Sequence, residues 1–204
     1  MTYSRPSPAG DSVSAWTLVV LSGGRATRLG GVEKSTLLLD GIPLLDHVIA
    51  PVPDDIPIVI VGPEIDPQRD VHFVIEEPRY GGPVAGLAAA LDAVRTPLLA
   101  LLATDMPRAG ALTTVMIEAL VADRYADASV AIDDSGRRQL MCGAFRMDAL
   151  RRAIRDGGIP ADRSMRSLYE QLNVCEVRLT REQSALLHNI DTDEELNAAQ
   201  SERP

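Results

Sequence analysis

Two short apolar runs most narrowly limit how this chain folds. Residues 16–21, Trp16 to Leu21, carry two adjacent valines and stop at Ser22-Gly23-Gly24, and residues 98–103, Leu98 to Ala103, stop at Thr104-Asp105-Met106-Pro107. Neither run alternates apolar with polar residues as a half-exposed strand does, and both have strand length. Such runs suit strands buried on both faces, the situation of a parallel sheet covered by helices.

The pattern between and after them supplies the helices. Leu37 to Leu39 lead into a turn at Asp40-Gly41, and Pro43 opens a helix through Leu44, Leu45, Val48 and Ile49. Strands are expected over 58–61 and 72–75. A helix begun by Pro83 follows, in which Val84, Leu87, Ala88, Leu91 and Val94 recur at helical spacing. Leu112, Val115, Met116, Ala119 and Leu120 mark another helix, and strands over 128–132 and 140–145 flank a turn at Asp133-Asp134-Ser135-Gly136. Helices over 148–154 and 165–172, a strand over 175–179 and a last helix capped by Thr192 with Glu195 three residues on complete the pattern. Repeated strand and helix units predict an α/β protein of three layers, α/β/α, with a mostly parallel, Rossmann-like sheet.

At 204 residues the chain is long enough for one well-buried domain, expected over 15–200, with tails at 1–14 and 201–204. A composition of 46% hydrophobic, 24% charged and 3% aromatic residues places Leu, Val, Ile and Ala in its core. The net charge of −9 disfavours nucleic acid and anionic membranes as partners, because both attract basic surfaces. A local anion site remains compatible with it, since a few oriented amides and cations suffice. Cys142 and Cys175 lack metal-ligand spacing and read as reduced, buried thiols. The first fourteen residues hold no apolar run of a signal peptide, and no segment approaches the ~18 apolar residues of a membrane span. The expected location is the cytoplasm.

Open parallel sheets bind ligands at the carboxyl ends of their strands, where this chain places its unusual polar groups. Gly23 and Gly24 remove two β-carbons just past a buried strand, so backbone amides can approach an anion, and Arg25, Arg28 and Lys34 add cations. The spacing is neither a Walker loop, since Glu33 precedes Lys34, nor G-x-G-x-x-G, and by itself it fits a plain turn as well. His47, His72 and His188 are scattered without ligand spacing, and Asp133-Asp134 fits a turn. Arg151, Arg152 and Arg155 suit a solvated helix face, with an anionic cofactor or carrier protein as the other reading.

The longer string from Leu21 to Leu45, LSGGRATRLGGVEKSTLLLDGIPLL, resembles the nucleotidyltransferase signature L-A-G-G-x-x-x-R-M-G, then D-K, a short strand and G-x-P-L. Gly82-Pro83-Val84-Ala85-Gly86, the strand ending in Thr104-Asp105-Met106-Pro107, the segment Gly136 to Phe145 and the ending Asn189-Ile190-Asp191-Thr192 follow in the order of one family. Together they resemble the molybdenum cofactor guanylyltransferases, over most of the chain. The resemblance implies a nucleotide-diphospho-sugar transferase fold and GMP transfer from GTP to molybdopterin with loss of pyrophosphate. GTP and molybdopterin are then the small-molecule partners, and proteins that make or accept the molybdenum cofactor are the protein partners.

The same resemblance implies a role for each matching residue. Leu21, Ser22, Gly23, Gly24, Arg25, Lys34, Glu77, Gly82, Pro83, Gly86 and Asp105 would bind the nucleotide. Lys34, Arg28 and Asp105 would serve catalysis, with Asp105 holding Mg²⁺, a hard ion suited to carboxylate and phosphate oxygens. Gln139, Asn189 and Asp191 would lie toward the acceptor or behind the metal. Ser22 stands where the family usually has Ala, Glu33 where it has Asp, and Gln139-Leu140 where it has His-Pro or Gln-Pro. Cytidylyl transfer to the same pterin, nucleotidyl transfer to a sugar phosphate and a regulatory nucleotide-binding domain are the competing expectations.

Overall fold

The structure is a computed structural model that describes residues 15–22, 36–190, 192 and 194–196. Its centre is a seven-stranded sheet in the order β5-β4-β1-β6-β8-β7-β9. The strands are β1 (Trp16–Leu21), β4 (Ile58–Val61), β5 (His72–Val74), β6 (Leu98–Ala103), β7 (Ala128–Ile132), β8 (Arg138–Arg146) and β9 (Val174–Arg178). The turn at Asp40-Gly41 joins a separate small ladder of β2 (Leu38–Leu39) and β3 (Ile42–Pro43). Every pairing in the large sheet is parallel except those of β8, which runs against both β6 and β7. The expected mostly parallel sheet is therefore present, with one reversed strand inside it.

The two apolar runs became the two central strands, and every residue of β1 and β6 is buried. Their side chains alternate between two cores, one on each face: Leu18 and Val20 on one, Val19 and Leu21 on the other. The hydroxyl in β1, on Thr17, is matched by Thr96 at 2.8 Å, which removes the cost of burying it alone. The helices α1 (Leu44–Ile49), α2 (Pro83–Ala90), α3 (Thr113–Ala122), α4 (Met147–Asp156), α5 (Met165–Tyr169) and α6 (Arg181–Ala185) surround the sheet. A 3₁₀ turn over Ala109–Leu112 leads into α3. None of the described helices is long and apolar enough to cross a membrane.

One helix, α6, went unread in the sequence, and one expected strand starts elsewhere. α6 has no buried residue and so no apolar period to betray it, and its one local signal is the capping box of Thr180 and Gln183. The expected strand over 140–145 begins earlier, at Arg138, because the ladder jumps from the pair Val130–Gly143 to Ala131–Gln139. Residues 140–142 form the irregular stretch between those pairs. Cys142 is fully buried and Cys175 partly so, both as free thiols, in keeping with the sequence reading.

Candidate active site

The chain runs from β1 outward to β4 and β5, then returns to place β6 on the other side of β1. The strand order therefore reverses between β1 and β6, and in open α/β sheets this is where a crevice opens at the carboxyl ends. Leu21 and Ser22 end one strand there and Ala103, Thr104 and Asp105 end the other. The Thr104 amide donates to the Leu21 carbonyl at 3.2 Å and the Thr104 hydroxyl to the same oxygen at 3.4 Å, pinning the strand ends together. Just past this pin Asp105 stands half-buried in the turn after β6.

Ser22 is buried, and its amide donates to Val61 at 2.8 Å, while its hydroxyl finds no hydrogen-bond partner among the described residues. Gly23, Gly24, Arg25, Arg28 and Lys34, the loop residues expected to hold phosphate, lie outside the described residues, as does Asp191. The crevice is thus defined by what flanks that loop.

One flank is the segment between β5 and α2. Glu76 is buried and its carboxylate accepts the Tyr80 amide at 2.9 Å, which shapes the loop from inside; its neighbour Glu77, the residue expected beside the base, is exposed. No alternation in the sequence told these two glutamates apart. Gly82 takes φ of 86°, a left-handed conformation that favours glycine, and Pro83 opens α2 directly after it. Among the described residues no side chain caps that helix, and its positive end lies at the carboxyl side of the sheet. Gly86 is buried and faces the sheet: a β-carbon there would lie 3.3 Å from Leu21 and 3.4 Å from Val61. It brings α2 close against β1 and β4, and thereby sets where Gly82 and Pro83 stand.

Residues 161–163, which the sequence did not single out, back this loop. The Asp162 amide donates to Gly81 at 2.8 Å, and the Arg163 guanidinium donates to the Ile154 carbonyl at 3.1 Å, closing the end of α4. The other flank is the chain after β9. The Leu179 amide bonds Ile132 at 2.9 Å, the Ser184 hydroxyl accepts the Asp134 amide at 3.0 Å, and the Ile190 amide bonds the Asp105 carbonyl at 2.8 Å. This strap crosses from the end of β9 past β7 to β6, and it sets exposed Asn189 beside the turn that carries Asp105. Thr192 and Glu195 exchange the two bonds of the expected capping box, at 2.9 and 3.2 Å.

Gln139 is half-buried, and its side-chain amide donates to Asp133 at 2.6 Å. Hydrogen bonds, first from the Ser135 hydroxyl and then from the Arg137 amide, with smaller help from Gln139 and the Ser135 amide, hold the Asp133 carboxyl down at about 2. Among the described residues there is no cluster of three or more His, Cys, Asp or Glu side chains suited to a metal. A single carboxylate such as Asp105 nevertheless fits a hard divalent ion whose remaining ligands are phosphate and water oxygens.

Comparison with known proteins agrees with this architecture. Residues 18–176 match the model of the family described as "MobA-like NTP transferase domain". A protein of Burkholderia cenocepacia named molybdenum cofactor guanylyltransferase is 28% identical over 206 residues, covering 95% of this chain and 98% of that one. A protein of the same name from Burkholderia lata is 32% identical over 136 residues, which span 62% of this chain and 65% of the relative. Among solved structures, molybdopterin-guanine dinucleotide biosynthesis protein A from Archaeoglobus fulgidus superposes with a TM-score of 0.69 at 22% identity, covering 91% of this chain and 97% of that one. The 2-C-methyl-D-erythritol 4-phosphate cytidylyltransferase of Thermus thermophilus superposes with a TM-score of 0.66 at 19% identity, over 92% of this chain and 98% of that one. These structures share the nucleotide-diphospho-sugar transferase fold expected from the sequence. With a family model matched across most of its length, the chain belongs to the MobA-like NTP transferase domain family.

Proposed function

We propose that this protein transfers GMP from GTP to molybdopterin, giving the guanine dinucleotide form of the cofactor and pyrophosphate. The observation that supports this reading is that Ser22 and Asp105 follow adjacent parallel strands at the strand-order reversal, in a chain whose full-length relatives are named guanylyltransferases. A terminal phosphate oxygen of molybdopterin attacks the α-phosphorus of GTP. A new P–O bond forms as the bond to the β-phosphate bridging oxygen breaks, and pyrophosphate carries away that electron pair. The chain's task is to hold strongly charged groups in line and to offset their charge.

Arg25, Arg28 and Lys34, with the amides of Ser22 to Gly24, supply fixed positive groups for the phosphates. Glu77, Gly82 and Pro83 border the base, with Leu21 and Gly86 supporting the wall behind it. Asn189, Asp191 and Gln139 face the acceptor. Asp105 would hold Mg²⁺, which when bound supplies charge neutralisation at the α-phosphate and the leaving group.

The test is pyrophosphate release by the purified full-length protein with GTP, CTP, ATP or UTP, with and without molybdopterin, in Mg²⁺ or in a chelator. Release is expected with GTP and molybdopterin in Mg²⁺. Preference for CTP or for a sugar phosphate overturns the guanylyl assignment, nucleotide binding without release removes the enzyme, and full activity in the chelator removes the metal.

A further inference from the structure

The two edges of the seven-stranded sheet differ in how they meet solvent. β9 carries exposed Glu176 and Arg178, and Arg138 reaches across to Glu176 at 2.7 Å, so charge guards that edge against other strands. β5, at the opposite edge, has no such guard. Residues 71–75 read Val-His-Phe-Val-Ile, without a carboxylate, a lysine or a proline, and Ile75 is 53% exposed. Among the described residues no strand pairs with the outer side of β5. We propose that β5 is a dimerisation edge, at which a second copy of this chain adds its own β5 antiparallel about a two-fold axis through Phe73.

The pairing with β4 fixes which backbone groups are available. Val61 stands opposite Val74, and the Gly62 amide donates to the Val74 carbonyl at 2.9 Å. In an extended strand the N–H and C=O of one residue point to one side and those of the next residue to the other. His72 and Val74 therefore direct theirs to β4, while Val71, Phe73 and Ile75 turn theirs outward. An antiparallel copy centred on Phe73 sets Phe73 against Phe73 and Val71 against Ile75, all of them outward-facing. Each is a pair that exchanges two N–H···O bonds, and the pattern closes under a two-fold axis with every outward group of residues 71–75 used.

Charge selects a second copy as the occupant. A cavity of about 420 Å³ lies on the α2 face of this edge, lined by His72 and Val74 from β5 and by Asp92 and Arg95 from the chain after α2. Exposed Arg95 makes no hydrogen bond or ion pair among the described residues. The amino end of the edge holds Arg69, His72, Arg95 and Arg151 against Asp70 and Asp92, with Arg151 3.8 Å from Asp92, and is positive on balance. The carboxyl end holds Glu76 and Glu77 against Arg79 and is negative on balance. Reversal of the second strand lays each positive end beside the other copy's negative end, twice over. A chain carrying −9 repels its own copy elsewhere, so a self-complementary edge singles out this approach. The two sheets then form one, with the two crevices at its opposite ends.

Sedimentation velocity of the full chain over a dilution series should show a concentration-dependent species of twice the chain mass. Ile75→Pro removes the outward amides that close both ends of the shared ladder, at an edge position where proline is tolerated, and Arg95→Glu reverses the unpaired cation. Each is expected to raise the dimer Kd about tenfold or more, while Arg95→Lys stays within about threefold of the parent. Circular dichroism identifies the folded variants, and if Ile75→Pro does not fold, Arg95→Glu decides alone. Cross-linking tests the register. His72 of one copy faces Val74 of the other in a non-hydrogen-bonded pair, whose Cα atoms stand about 4.5 Å apart, within disulfide reach. His72→Cys combined with Val74→Cys should therefore give a covalent dimer on oxidation, whereas Ile159→Cys, exposed elsewhere, should not. A parent that is monomeric at every concentration, a dimer that the folded edge variants leave unweakened, or cross-linking of the double-cysteine chain no greater than that of Ile159→Cys each overturns the inference.

Discussion

Asp105 is held from two directions, by the end of β6 that it follows and by the Ile190 amide on its carbonyl. Its carboxylate is therefore carried on a braced turn, which suits a group that must keep its place as charge moves on the phosphates. Asp105→Ala and Lys34→Ala should each lower kcat by about tenfold or more, since each removes charge stabilisation worth more than ~1.4 kcal/mol in the transition state. Steady-state kinetics on variants of unchanged circular dichroism check this, and a parental kcat would take the residue out of the mechanism. Asp105 and Gly82 were legible in the sequence because strand ends and glycine-proline starts have local signatures. Glu76 was not, since two adjacent glutamates look alike until one is seen inside and bonded to Tyr80. The packing partners of Gly86 were equally hidden, because Leu21 and Val61 come from distant parts of the chain.

The 3₁₀ turn after Asp105 rests on α1 with no room between them. A β-carbon on Gly110 would overlap the Val48 carbonyl oxygen, in α1, and would fall 2.8 Å from Pro51 just beyond that helix. Backbone cannot swing aside as a side-chain end can, so Gly110→Ala must push the turn off α1 and should destabilise by about 1–3 kcal/mol. In thermal unfolding this corresponds to a fall in Tm of several degrees, at ~2–4 °C per kcal/mol for a chain of this size; an unaltered Tm would contradict the close approach. The elements easiest to read were β1 and β6, whose apolar runs come from burial on both faces. The hardest was α6, which buries nothing. The reversal of β8 lay between these cases: its turn was visible in Asp133 to Gly136, but its insertion between β6 and β7 is a choice of partner that no local pattern encodes.

The two cores on opposite faces of the sheet also bury groups that titrate. Burial pushes the Cys142 thiol up to about 12 from 9.0, and raises the Tyr169 hydroxyl as well, which lies near Gly143 without a hydrogen-bond partner among the described residues. An unfolded thiol loses its proton near its ordinary value while the folded one keeps it. Stability from Cys142 is therefore intact below pH 9 and lost as pH rises toward 12, by at most about 1.4 kcal/mol per pH unit. Urea midpoints from pH 8 to 11 should fall less steeply for Cys142→Ala than for the parent, whatever the variant's starting stability. Parallel slopes would show that the thiol does not contribute.

The reversed strand bears on how such a molecule can change through descent. β6 pairs with β8 only through Leu98 to Leu101, and residues 140–142 leave the regular ladder toward the carboxyl ends of β6 and β7. β1, β4, β5 and β6, with Ser22 and Asp105 at two of their ends, lie on one side of this seam, and β7 and β9 lie on the other. Insertions and substitutions in the irregular stretch can accumulate without shifting the register of β1 against β6. The strands that end at Ser22 and Asp105 can in this way keep their mutual register while the part of the sheet beyond β8 varies.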